Sequence, residues 1–231
     1  MSLQILYQSE DCIVVNKEIG EAVEGVSPDS SMVNLTDKLK NYLNVDFAEA
    51  VHRVDVPVTG CVLFALTPEA LSFLNSAFAN HFSAEKKVIK RYWVIVEKPD
   101  FKLPKKGKLV HWIVTNTEMN KSFANNDDKK GGKKATLKYR LLGEGKNYLF
   151  IEAQLLSGRH HQIRAQFAAA GLHIKGDLKY GAKRSEKNGG IRLHARFISF
   201  PDPKPSGGII NVTADPPQMD ALWEAVLAVS D

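Results

Sequence analysis

His52-Arg53-Val54-Asp55, continued by Thr59-Gly60-Cys61-Val62-Leu63-Phe64-Ala65-Leu66-Thr67, is the stretch on which the reading of this chain turns. A carboxylate stands two residues after a guanidinium and just ahead of a short apolar run. Such a run is a buried strand, so the charged tetrapeptide lies at its entrance. A neighbouring Arg favours the ionised carboxyl, and an ionised, positioned carboxylate is able to act as a nucleophile. By itself the tetrapeptide fits a structural ion pair at a strand edge better than it fits chemistry.

Further along the chain come Gly158-Arg159-His160-His161-Gln162-Ile163-Arg164 and Gly171-Leu172-His173-Ile174-Lys175-Gly176-Asp177-Leu178-Lys179-Tyr180-Gly181. Lys90-Arg91-Tyr92 and Leu193-His194-Ala195 complete a set of five ordered blocks. Together they resemble the RluA branch of the RNA pseudouridine synthases. That pattern runs roughly H-R-L-D-x-x-T-S-G-L-L-L-x-A-K-T, K-x-Y, G-R-x-H-Q-I-R, G-x-P-I-x-G-D-x-x-Y-G and L-H-A. The start, Ile5-Leu6-Tyr7 to Val14-Val15-Asn16-Lys17, also looks like the family's opening strand pair. Val54, Cys61, Val62, Leu66, His173 and Glu18 depart from the usual residues. These departures bear on the substrate subgroup rather than on the reaction.

The resemblance implies an α+β fold, a mixed, largely antiparallel sheet around a central cleft with flanking helices. It implies one catalytic domain over residues 1–231, without an N-terminal RNA-binding accessory domain. The implied reaction isomerises uridine to pseudouridine in structured RNA, rRNA or tRNA. The base is cut from C1′, rotated and rejoined through C5, with no cofactor and no metal. Asp55 is then the nucleophile, attacking either C1′ of the ribose or C6 of the base. Tyr92 stacks on the target base and assists proton transfer. Arg164 pairs with the catalytic carboxylate and fixes its rotamer. Arg53 helps fill the gap left by the flipped nucleotide. His52, Arg159, His161, Gln162 and Lys175 are the remaining candidates for holding RNA. The alternative is a catalytically silent RNA-binding module of the same fold.

Composition agrees. The chain has 231 residues, 44% of them hydrophobic, enough for a substantial core. No apolar run approaches membrane-spanning length, and no secretory signal is visible, so a cytoplasmic protein is expected. Cys12 and Cys61 read as buried, reduced residues, and neither has a base that would make it a thiol nucleophile. The His160-His161 pair would point in divergent directions and lacks further ligands at useful spacing, which argues against a metal hydrolase. The net charge of +5 hides a segregation. Residues 85–134 hold 14 Lys/Arg against 6 Asp/Glu, and residues 158–196 hold 9 against 2. The remainder is acidic, so one side should face a polyanion. RNA is the expected partner, with a monomer acting without an obligate protein partner and without a membrane.

Local patterns place the motifs. Residues 12–17 and 61–66 read as buried strands, and Thr67-Pro68-Glu69 as a helix start. Leu71, Leu74, Phe78 and Phe82 mark that helix's inner face. Val88 to Val96 reads as a strand carrying Tyr92, and 98–112 as a loop or exposed hairpin. Asn116 to Lys134 reads as a poorly ordered surface insertion. Thr136–Leu142 and Tyr148–Leu156 form a hairpin around Gly143-Glu144-Gly145. A helix should follow, with Ile163, Phe167 and Ala170 inward and Gly171 as its stop, placing His161, Gln162 and Arg164 near its N-terminus. Lys183 to Gly190 reads as a flexible loop and Ile191 to Phe200 as a strand. Asp215-Pro216 should open a last helix with Met219, Leu222, Trp223, Val226 and Leu227 inward.

Overall fold

The computed structural model describes residues 3–25, 31–79, 88–204 and 207–230. In chain order the elements are β1 (Ile5–Gln8), β2 (Cys12–Lys17), α1 (Leu35–Leu43), β3 (Glu49–Ala50), β4 (Thr59–Ala65), α2 (Pro68–Ala79), β5 (Ile89–Glu97) and β6 (Lys106–Asn116). They continue as β7 (Lys121–Asn125), β8 (Lys133–Glu144), β9 (Tyr148–Leu155), α3 (Gln162–Ala169), a 3₁₀ turn (Leu178–Tyr180), β10 (Leu193–Pro201), β11 (Ile209–Thr213) and α4 (Ala221–Leu227). The pairs β1–β2, β2–β4, β3–β4, β10–β11, β6–β7, β6–β8 and β8–β9 are antiparallel and β4–β10 is parallel, so the mixed, largely antiparallel α+β class expected from sequence is found.

The chain divides into two compact units, Met1–Lys90 with His194–Gln218, and Arg91–Leu193 with Met219–Asp231. In the first, β1, β2, β4 and β10 lie side by side, with β3 on β4 and β11 on β10. Every residue of β2 and β4 is buried, which is why Cys12–Val15 and Cys61–Ala65 read as apolar runs. Cys12, Val14, Cys61, Leu63, Leu74, Ile198 and Phe200 share one core there. The Thr67 hydroxyl caps α2 by accepting from the Ala70 amide at 3.1 Å. Ala70, Leu74 and Ala77 form the buried line of that helix, so the inner face is turned from the expected Leu71–Phe78 line, and those two side chains flank it. Phe82 lies outside the described residues.

In the second unit the order is β5, β9, β8, β6, β7. Three expectations are corrected here. Of the loop or exposed hairpin expected over 98–112, residues from Lys106 onward are strand, because β6 pairs along β8. The supposed insertion contains β7, registered against β6 from Trp112–Asn125 to Asn116–Lys121. The last helix starts at Asp220, whose carboxylate accepts from the Leu222 and Trp223 amides, while Asp215 pairs with Arg196. Trp223 and Val226 point inward, whereas Met219 and Leu227 are exposed. Lys183–Gly190 has no regular structure, but Glu186 anchors it through ion pairs with Lys175 and Arg192.

Candidate active site

Asp55 sits in the turn that leads into β4, its carbonyl accepting the Val58 amide at 2.9 Å. That turn is gripped from below by Lys17, the last residue of β2. Lys17 is fully buried, and its ammonium donates to the carbonyls of Glu18 (2.7 Å), Val56 (3.1 Å) and Val58 (2.8 Å). Three donors meet three acceptors, which satisfies the charge without a direct carboxylate contact. Burial pushes the Lys17 pKa down to about 8, against the opposing pull of the Glu21 and Asp55 carboxylates. The Val56 carbonyl also accepts the Gly20 amide at 3.1 Å. Asp55 therefore stands on a turn whose carbonyls are tied to a buried cation.

His52 accepts the Leu63 amide through Nε2 at 3.2 Å and stacks on Phe78 at 5.3 Å. Burial, then the Lys90 ammonium, holds its pKa down at about 3. A neutral ring is thus built into the start of β4. Arg53 is exposed and reaches Glu24 only at 4.0 Å. At the other face of the motif, Thr59 and Gly60 run beside His194 and Ala195 as the parallel pair. The Thr59 hydroxyl meets His194 Nδ1 at 2.8 Å, while His194 Nε2 meets the Ala214 carbonyl at 2.9 Å. A carbonyl only accepts, so Nε2 carries the proton and Nδ1 accepts from Thr59. Burial keeps that ring neutral, with a pKa of about 4. Gly60 has φ +112°, and a Cβ there would lie 2.3 Å from the Ala195 oxygen. The two motifs touch at a spot only glycine fits. Cys12 and Cys61 are buried, with thiols pushed up to about 11 and about 12, which agrees with inert core residues.

In the second unit, Tyr92 lies on β5 and is almost fully buried. Arg164 is buried on the first turn of α3, where Nε and Nη2 donate to the two carboxylate oxygens of Asp177 at 2.7 and 2.8 Å. This planar fork locks the guanidinium's orientation. The Tyr180 ring lies 4.9 Å from the same guanidinium. The Tyr180 hydroxyl accepts the Ser122 amide at 2.8 Å, donates to the Ser122 carbonyl at 3.1 Å and meets His161 Nδ1 at 3.0 Å. With its one proton given to the carbonyl, the hydroxyl accepts from His161, which fixes Nδ1–H as that ring's tautomer. His161 caps α3 in the left-handed region, φ 52°, without a side-chain cap bond. The His160 and His161 rings stack at 3.8 Å rather than diverging, and His160 Nδ1 binds the Ser122 hydroxyl at 2.9 Å.

Gln162 accepts from the Ser157 hydroxyl (2.9 Å) and the Arg159 amide (3.0 Å), and donates to the Thr136 carbonyl (3.1 Å) and Gln166 (3.0 Å). All four positions of its amide are used within the protein, so it shapes the motif loop. Arg159 is exposed beside Lys134. Lys175 forms an ion pair with Glu186, and its amide donates to the Ile95 carbonyl at 3.0 Å. Lys17, Asp177, Ser122 and Tyr180 are the structural contributors that the sequence reading did not single out for a role.

The family model described as RNA pseudouridylate synthase matches residues 11–169, a span that holds Asp55, Tyr92 and Arg164. The chain belongs to that family. It is of the RluA type, since curated relatives are large-subunit synthases of the C and D kinds. Ribosomal large subunit pseudouridine synthase D of Zymomonas mobilis is 29% identical over 99% of this chain and 74% of its own length. Ribosomal large subunit pseudouridine synthase C of Rickettsia prowazekii is 33% identical over 78% of this chain. The match spans 56% of the Rickettsia protein, little more than half its length. Among solved structures, human RNA pseudouridylate synthase domain containing 4 superposes with a TM-score of 0.72 at 21% identity, over 97% of this chain and 92% of that one. Human RNA pseudouridylate synthase domain containing 1 gives 0.70 at 21%, over 99% and 95%. These two likenesses establish the pseudouridine synthase fold. By family the chain is an isomerase of uridine in RNA. No helix among the described residues is long and apolar enough to cross a membrane.

Proposed function

We propose that this chain converts specific uridines of structured RNA, in rRNA or tRNA, into pseudouridine, with Asp55 as nucleophile. The observation that carries the reading is the family match across 11–169, a span that includes Asp55, Tyr92 and Arg164. The glycosidic bond from N1 to C1′ breaks and a bond from C5 to C1′ forms. The proton lost from C5 balances the one gained at N1, so no redox partner is required. Asp55 attacks C1′ or C6 and forms the transient covalent link. Tyr92 packs against the everted base and assists the C5 proton transfer. Arg164 supplies the guanidinium that keeps the catalytic carboxylate charged, its plane set by Asp177. Arg53 enters the space vacated by the flipped base. His52, Arg159, His161, Gln162 and Lys175 shape or contact the RNA-binding surface. The reading carries with it one catalytic domain, a cytoplasmic location, and a monomer that needs neither cofactor nor obligate protein partner.

The test is pseudouridine mapping on total RNA from cells with and without the protein. Asp55→Asn and Asp55→Ala should bind RNA as the unaltered protein does and yield no new pseudouridine. Turnover in either variant contradicts the nucleophile assignment. RNA binding without any mapped product in the unaltered protein would support the silent binding module instead.

A further inference from the structure

The register of the second unit sets like charges face to face. Across β6 and β8, Lys106 stands opposite Arg140, Lys108 opposite Lys138, and Trp112 opposite Lys134. Side chains alternate along a strand, so these six residues share one face. Ile113, Ala135, Leu137 and Tyr139 are packed beneath the other. The five cations are exposed. Arg140 has Glu152 at 3.4 Å, and the Lys134 ammonium lies 5.8 Å from the Trp112 ring. Like charges directly opposite each other destabilise a sheet. A surface selected for stability alone would set acids against these lysines. The face also leads somewhere: the Arg159 Nε donates to the Lys134 carbonyl at 3.4 Å, so the row of cations runs into the Gly158–Arg164 motif.

We propose that this face is a docking surface for the phosphate backbone of double-helical RNA, which it guides toward the motif loop. The proposal rests on the reading of the chain as an RNA enzyme. A polyanion turns the mutual repulsion of Lys106, Arg140, Lys108 and Lys138 into attraction, and its bound counterions are released. Duplex RNA is the fitting partner because it is recognised by backbone shape and phosphates. A two-stranded row of exposed cations meets that requirement.

The test uses the full chain and a defined probe, an RNA duplex of roughly 20 base pairs, followed by fluorescence anisotropy over a range of salt. Lys108→Thr with Lys138→Thr removes one opposed pair and supplies good strand formers. The free double variant should melt at a higher temperature than the unaltered protein. Its duplex affinity should fall about tenfold, and its salt slope should become shallower by about 1 to 2. Lys108→Arg with Lys138→Arg should restore the affinity. Unchanged duplex affinity in the Thr variant overturns the proposal. A lower melting temperature in that variant, or tighter binding of the unaltered protein to anionic phospholipid vesicles than to the duplex, also counts against it. Binding needs no turnover. Face-dependent duplex binding in a protein that forms no pseudouridine would sink the catalytic reading and leave the docking surface standing.

Discussion

Lys17 brings a full positive charge into the core directly beneath the turn that bears Asp55. Its pKa of about 8 lies below the ordinary 10.5. Above pH 8 the amine has two protons for three carbonyls, and its grip on the turn slackens. The stability effect has the opposite sign. Between pH 8 and 10.5 the unfolded chain binds more protons at this site, so Lys17's contribution to stability rises with pH. Uridine conversion should therefore fall above pH about 8 with no matching drop in melting temperature from this group, which pH–rate profiles beside thermal melts will check. Burial lowers Lys90 to about 8 as well, so the alkaline fall should persist in Lys90→Met if it belongs to Lys17. A conversion rate that stays flat through this range would contradict the role. Lys17→Met leaves three carbonyls without their donor and should destabilise by about 3 kcal/mol. At this scale the motif residues were legible because their order and spacing resemble a family. In the sequence Lys17 reads only as the end of a strand. Its one local mark is that it closes a wholly buried apolar run and stands opposite Gly60.

Among the elements, β4 and β10 meet too closely at Gly60 to admit a methyl group. Gly60→Ala would push a methyl into the Ala195 backbone and hold a non-glycine residue at φ +112°. A cost of about 3 kcal/mol is expected, read as a lower denaturant midpoint with an unchanged m value. The core strands β2 and β4, the start of α2 and the β8–β9 hairpin were readable because burial on both faces, a hydroxyl cap and a glycine turn each leave a local mark. Strand β7 left none. Lys121-Ser122-Phe123-Ala124-Asn125 is an edge strand with only Ser122 buried, so it shows no alternation. Helix α1 went unread for a similar reason, since Leu35, Thr36 and Leu39 are its only buried residues. The last helix was placed too early because Asp215 and Asp220 look alike as caps. Tertiary pairing of Asp215 with Arg196 decides between them.

For the molecule as a whole, the segregated charge read from sequence corresponds to the exposed cations of the second unit. Acid should act mainly through the first. His52 and His194 remain neutral when folded, at about 3 and about 4, against an ordinary 6.5. The unfolded chain takes up these protons first, so stability present above pH 6.5 is lost as pH falls toward the folded values. Melting temperature should drop by several degrees on acidification below that point, and His194→Asn should flatten the drop. A melting temperature indifferent to pH in this window would contradict both assignments.

The first unit draws its strands from segments on either side of the second, since β4 pairs with β10 and all of the second unit's hairpins lie between them in sequence. During synthesis, the adjacent strands from Lys106 to Leu155 have their partners at hand and need span only short loops. The unit that bears Asp55 needs a neighbour 135 positions downstream, a closure with a large entropic penalty. Helix α4, whose Trp223 and Val226 share the core of Trp93, Ile95 and Phe150, comes later still, so neither unit closes its core from one continuous stretch of chain.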